Sequence, residues 1–67
     1  MNAVEVCKQV KGMALLDAEA FIKEAGGLSR IVYQNGKIVL ENITKDFNEN
    51  RISLQVESGN IKLARVG

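Results

Sequence analysis

Residues 30–41 read RIVYQNGKIVLE and contain the clearest structural signal in the chain. Two runs rich in β-branched and aromatic residues, Ile31-Val32-Tyr33 and Ile38-Val39-Leu40, flank Asn35-Gly36. Asn-Gly between two such runs is the strongest short-range signal for a tight β-hairpin. We therefore expect antiparallel strands at residues 30–34 and 37–41.

Two further strands are predicted downstream of this hairpin. Residues 52–56, ISLQV, alternate apolar and polar side chains, which is typical of a strand with one buried face. Ile52, Leu54 and Val56 are expected to face the core. A turn at residues 57–60 then leads to a last strand at residues 61–66.

One helix is predicted upstream of the hairpin, at residues 12–25. Its apolar residues fall in one arc of about 120° at helical spacing, and they are Ala14, Leu15, Ala18, Phe21, Ile22 and Ala25. Leu16 lies outside this arc and is expected to be exposed. Gly26-Gly27 should end the helix, whereas only Gly12 is available to cap its start.

Residues 1–11 carry weaker signals. Val4 and Val6 alternate with a glutamate, and Cys7 and Val10 are candidates to pack against the core. The segment is expected to be either an arm that packs against the core or a partly frayed terminus.

These elements predict one α+β domain over residues 1–67, with one helix packed on a small, mostly antiparallel sheet. The chain of 67 residues is 46% hydrophobic and 25% charged. Its net charge of +1 and scattered basic residues argue against nucleic-acid binding. No apolar run has the 18 or so residues that cross a membrane, so we expect no membrane partner.

Catalysis and metal binding are also not expected. The chain has no histidine and one cysteine, Cys7, which excludes the usual structural zinc sites and an internal disulfide. Ser29, Ser53 and Ser58 have no partner base other than lysine, so no catalytic residue and no cofactor are predicted. The lack of a disulfide and of a visible signal peptide fits a cytoplasmic protein, although a removed leader would allow secretion.

The polar run at residues 43–51, ITKDFNENR, separates the hairpin from the next strand. Asn and Asp side chains compete with regular backbone pairing, so this run predicts a long exposed loop. A loop of this length in a small domain is more often functional than a plain connection.

The residues of this loop and its surroundings resemble those of a known family. Ile43-Thr44-Lys45-Asp46-Phe47, the following Arg51, the alternating strand and the ending Ala64-Arg65-Val66-Gly67 are similar to the potato inhibitor I fold of serine-protease inhibitors. Within that fold they resemble the bacterial peptidase inhibitor I78 family. The similarity extends over roughly residues 10–67, with the loop as its most specific part.

The resemblance implies a fold and a mechanism. The reactive loop would comprise Thr44, Lys45, Asp46 and Phe47, with Arg51 and Arg65 as loop support. Lys45 would occupy the specificity pocket of a trypsin-like or subtilisin-like serine protease, and Phe47 would anchor the base of the loop on the core. The plant members have a second arginine at the position of Ser53.

Two alternatives remain at this point. The cleaved bond is Lys45-Asp46 when the loop is aligned from its C-terminal side, and Leu40-Glu41 when it is aligned from Gly36. The other functional hypothesis is a non-inhibitory protein–protein interaction module of the same fold. It would bind another protein, or a second copy of itself as a homodimer, through an exposed strand edge such as residues 30–34.

Overall fold

The computed structural model describes residues 1–39 and 47–67. These residues form helices and strands in the order α1 (Ala3–Val10), α2 (Leu15–Glu24), β1 (Leu28–Gln34), β2 (Lys37–Ile38), β3 (Arg51–Glu57) and β4 (Asn60–Val66). The predicted α+β class is confirmed, with two helices rather than one packed on a four-stranded sheet.

The sheet has the strand order β2-β1-β3-β4. The outer pairs, β1 with β2 and β3 with β4, are antiparallel as expected. The central pair is parallel, because β1 and β3 run in the same direction with Ser29 opposite Ile52 and Ile31 opposite Leu54. An extra residue, Val32, interrupts this register before Tyr33 pairs with Gln55.

The predicted Asn35-Gly36 hairpin is confirmed. Gln34 pairs with Lys37, and both turn residues have positive φ, 51° for Asn35 and 79° for Gly36, as a two-residue type I′ turn requires. The side chain of Asn35 also accepts a hydrogen bond from the backbone N–H of Ser58 at 2.9 Å, which links this turn to the β3–β4 turn.

Of the two alternatives for the N-terminal segment, the frayed terminus is wrong, because these residues form the helix α1, which was not predicted. Asn2 caps the helix by accepting a hydrogen bond from the N–H of Glu5 at 3.2 Å. Val6 and Val10 are buried while Val4 is exposed, so the apolar spacing is helical rather than the alternation of a strand. Val10 and Cys7 do pack against the core, as expected.

The second helix ends as predicted and starts differently. Gly26 has a φ of +89°, and the N–H groups of Gly26 and Gly27 donate to Lys23 and Ile22 carbonyls, which is a Schellman motif. At the start, Gly12 is not the cap. Ala14 occupies that position, and the N–H of Leu15 donates to the carbonyl of Gly59 in the β3–β4 turn at 2.9 Å.

The core lies between the helices and one face of the sheet. It contains the predicted strand residues Ile52, Leu54 and Val56, all at most 2% exposed, together with residues from both helices. Ala18 and Ile22 of the predicted helical stripe are buried, and Leu16 is 77% exposed, as expected. Neither α1 nor α2, the helices in the described residues, has the length and hydropathy needed to cross a membrane.

Candidate functional site

The candidate site lies at one end of the sheet, where Arg51 at the start of β3 is hydrogen-bonded to Gly67, the residue that follows β4. The N–H of Gly67 donates to the carbonyl of Arg51 at 2.7 Å. In return, Nε and Nη2 of Arg51 donate to the carbonyl oxygen of Gly67 at 3.1 and 3.0 Å. Arg51 is only partly exposed, so these bonds position its planar guanidinium at the sheet end.

Arg30 brings β1 into the same network. Its Nη2 donates to the carbonyl oxygen of Gly67 at 2.7 Å, and its Nε donates to Oγ of Ser53 at 3.0 Å. Arg30 and Ser53 are register partners on the parallel strands, which places the arginine beside the serine on the sheet face away from the helices. Side chains therefore tie three strands together at one end of the sheet.

The Gly67 oxygen accepts from two different arginines. Three guanidinium N–H groups lie within 2.7–3.1 Å of this one atom, although a carbonyl oxygen has only two lone pairs. Because two cations converge on one acceptor, each restricts the position of the other, and the backbone at Gly67 is held from two strands.

Phe47 does not anchor the loop on the core, so that expectation is wrong. Its side chain is 72% exposed. The ring lies against Gly67, where an added Cβ would be 3.2 Å from Cδ2 of Phe47. The aromatic side chain therefore forms a rim above the arginine network instead of filling the interior.

Arg65, the other predicted support residue, lies outside the hydrogen-bonded network. It pairs in register with Ser53 across β3 and β4, and its side chain is exposed. Within the described part of the chain Arg65 makes no hydrogen bond or ion pair. The structure therefore brings Arg51 and Arg30 together and leaves Arg65 as a neighbouring free cation.

These side chains surround a shallow groove of about 270 Å³ on the sheet face that the helices do not cover. Its described lining consists of Arg30, Val32, Phe47, Ser53, Gln55, Arg65, Val66 and Gly67. The volume is at the lower limit of small-molecule sites, so the groove fits a side chain better than a whole cofactor.

The connection between β2 and β3 is fixed to β1 at both ends. The N–H of Val39 donates to the carbonyl of Val32 at 3.0 Å, and the N–H of Leu28 donates to the carbonyl of Asn50 at 2.8 Å. Val32 and Leu28 lie four strand positions apart, or about 13 Å at the usual rise. Asn48 forms a turn just before β3, because its carbonyl accepts from the N–H of Arg51 at 3.1 Å.

Several predicted site residues lie outside the described residues. They are Thr44, Lys45 and Asp46 of the reactive loop and the alternative bond Leu40-Glu41. The predicted contact edge at residues 30–34 needs correction, because Tyr33 and Gln34 pair with β2 and are not an open edge.

Arg30 is the site residue that sequence reasoning missed. Nothing local to Arg30 distinguishes it from other basic residues near a strand. Its role depends on the parallel register that places it opposite Ser53, and a parallel pairing between β1 and β3 was not predicted.

No group of three or more His, Cys, Asp or Glu side chains lies close enough to hold a metal ion in residues 1–39 and 47–67. Burial raises the pKa of the Cys7 thiol above its ordinary value, so the reactive thiolate is disfavoured at neutral pH.

Comparisons of the chain with protein-family models, with curated protein sequences and with solved structures find no significant match.

Proposed function

We propose that this chain is a small serine-protease inhibitor of potato inhibitor I-like architecture, which presents the bond Lys45-Asp46 to a protease. The observation that carries the proposal is the double attachment of the β2–β3 connection to β1, through Val39 at one end and Asn50 at the other. The two attachments are about 13 Å apart, whereas residues 40–49 can reach about 35 Å. The surplus length is what a protruding loop needs.

The mechanism is substrate mimicry. Lys45 would enter the specificity pocket of a trypsin-like or subtilisin-like enzyme, with Thr44 and Asp46 on either side of it. A substrate-like loop binds tightly only when little ordering is needed on binding. The attachments of Val39 and Asn50 and the fixed guanidinium of Arg51 favour such preorganisation.

The same framework explains how an inhibitor resists turnover. After cleavage at Lys45-Asp46, the N-terminal fragment would contain β1 and β2 and the C-terminal fragment β3 and β4, and the pairing of β1 with β3 would hold them together. Because the fragments cannot diffuse apart, religation competes with release. Arg30 of the N-terminal fragment, which donates to the carbonyl oxygen of Gly67, would also hold the C-terminal fragment at the sheet.

The test is a titration of trypsin and subtilisin with the protein, followed by mass spectrometry of any cut. We expect tight inhibition with a single slow cleavage after Lys45. Lys45→Ala should weaken trypsin inhibition by about 2–4 kcal/mol, or roughly 30- to 1,000-fold, as for a central anchor residue. Lys62→Ala, an exposed lysine on β4, is the matched control and should inhibit like the parent.

A second variant tests whether Arg51 supports the reactive loop. Arg51→Ala should remain folded but be cleaved faster, which converts the inhibitor into a substrate. A single cut after Leu40 would assign the alternative bond. Rapid cleavage at many sites in the parent, or inhibition that neither variant changes, would contradict the proposal.

The alternative function is a non-inhibitory interaction module that forms a homodimer. Exposed apolar side chains on the β1–β2 side favour it, namely Leu28, Ile38 and Val39, which are 58%, 67% and 49% exposed. A concentration-dependent dimer in sedimentation equilibrium, lost in Ile38→Gln, together with no effect on either protease, would support this function. A monomer at all concentrations would exclude self-association.

A further inference from the structure

The sheet has an outer face that is separate from the connection between β2 and β3. Its inner face packs on both helices, whereas its outer face carries Arg30, Ser53, Gln55 and Arg65 and is covered by neither helix. The groove described above runs across this outer face, and Phe47 forms its rim.

The groove contains hydrogen-bond donors that no described residue uses. Arg65 has no hydrogen bond or ion pair in the described parts of the chain. Arg30 uses Nε and Nη2 for Ser53 and Gly67, and its Nη1 has no partner among the described residues. Two guanidinium groups therefore border the same groove with donors available to a ligand.

No acidic side chain is among the described residues that line the groove. The acid nearest along β3 is Glu57, and its carboxylate already pairs with Nζ of Lys62 at 3.3 Å. The charge of the described lining is therefore positive, and the ligand complementary to it is an anion that can accept from arginine, ideally in the bidentate geometry that a carboxylate provides.

The lining also contains apolar and aromatic residues beside the polar Ser53 and Gln55. They are Val32, which is only 8% exposed, Val66 and the exposed Phe47. A ligand that combines a carboxylate with neighbouring apolar side chains satisfies both halves of the lining, whereas a free inorganic anion satisfies only the arginines.

We propose that this groove binds an extended acidic segment of a partner protein, with a glutamate or aspartate carboxylate between Arg30 and Arg65 and an apolar neighbour against Phe47. A nucleic acid fits less well, because one aromatic ring is not a stacking platform and the chain has a net charge of only +1. This surface includes neither Lys45 nor the bond after it, although it shares Phe47 and Arg65 with the predicted reactive loop and its support.

The experiment is an NMR titration of the ¹⁵N-labelled protein with a capped peptide of alternating Glu and Leu residues. The matched probe has Gln in place of every Glu. We expect saturable shifts at the amides of Ser53, Gln55, Arg65 and Gly67 with the acidic probe and none with the neutral one. Arg65→Gln should weaken binding by roughly 10- to 150-fold, the value of one hydrogen bond between charged groups.

Lys62→Gln is the control, because it removes the same charge from β4 outside the groove. It should change the affinity by less than about twofold, as expected for an exposed charge. Phe47→Ser, which alters a mostly exposed side chain, should also weaken binding while leaving the spectrum of the folded protein intact.

The proposal is overturned if the acidic probe causes no saturable shifts, or if Arg65→Gln and Lys62→Gln weaken binding equally. It is also overturned if a single-stranded oligothymidylate or inorganic phosphate occupies the same amides more tightly than the peptide. Loss of inhibition in Lys45→Ala with unchanged peptide binding would show that the two surfaces act separately.

Discussion

The carbonyl oxygen of Gly67 is the point where separate strands meet through side chains. Arg30 approaches it from β1 and Arg51 from β3, at donor distances of 2.7–3.1 Å. Since either arginine alone can hold this oxygen, and since the two cations repel each other, their contributions to stability should not be additive.

We predict that Arg30→Gln and Arg51→Gln each lower the free energy of unfolding by roughly 0.5–1.5 kcal/mol. The double variant should lower the free energy of unfolding by more than the two single variants together. The second substitution removes the last guanidinium from the oxygen, and it no longer relieves any repulsion between the two arginines. Urea unfolding followed by circular dichroism measures all three values. If the double variant loses no more unfolding free energy than the two single variants together, Arg30 and Arg51 do not jointly hold Gly67.

Helix α1 shows how one element is stabilised by its partners rather than by its own sequence. It has only eight residues, and isolated helices of this length are marginal in water. Its stability comes from Val6 and Val10, which are 6% and 0% exposed against the core.

The helix offers a matched pair of substitutions. Val10→Ala should lower the free energy of unfolding by about 2 kcal/mol, from lost apolar burial and the cavity left behind. Val4→Ala, on the same helix but 59% exposed, should change it by no more than a few tenths of a kcal/mol. Thermal and urea unfolding measure the change in unfolding free energy for both variants. Equal changes would mean that α1 does not pack against the core through Val10.

The molecule as a whole is organised around β3. This strand pairs with β1 on one side and with β4 on the other, and its inward residues Ile52, Leu54 and Val56 are almost fully buried. By contrast, β2 consists of two exposed residues at the sheet edge. Local stability should therefore decrease from the centre of the sheet toward this edge.

Native-state hydrogen exchange tests this gradient. We predict that the amides of β3 exchange only through global unfolding, with free energies equal to that from urea unfolding. The amides of β2 should exchange through local opening at lower free energy. Equal protection of β2 and β3, or slower exchange in β2, would contradict the gradient.

Features that depend on neighbouring residues were predicted well from the sequence. The positive φ values of the Asn35-Gly36 turn and the helix stop at Gly26-Gly27 follow from residues that tolerate such backbone angles. The burial of Ile52, Leu54 and Val56 follows from an alternation that holds along one strand. Helix α1 was missed because Val4 and Val6 suggested a strand, although positions 3, 6, 7 and 10 have helical spacing.

Features that depend on which strands become neighbours were not predicted. The site illustrates this, because Arg30 and Ser53 meet only when β1 and β3 pair in parallel. The position of Phe47 against Gly67, rather than in the core, likewise depends on where the end of β4 lies. Residues far apart in the chain have no shared local pattern that reveals such contacts.

The sequence by itself therefore determined the hairpin, the helix stop, the buried face of β3 and the α+β class, since propensity and periodicity act over a few residues. Only the tertiary structure decided the parallel central pair, the convergence of Arg30 and Arg51 on Gly67 and the basic groove beside them. The physical reason is that strand order is set by the burial of the whole core, and this long-range choice places the charged side chains.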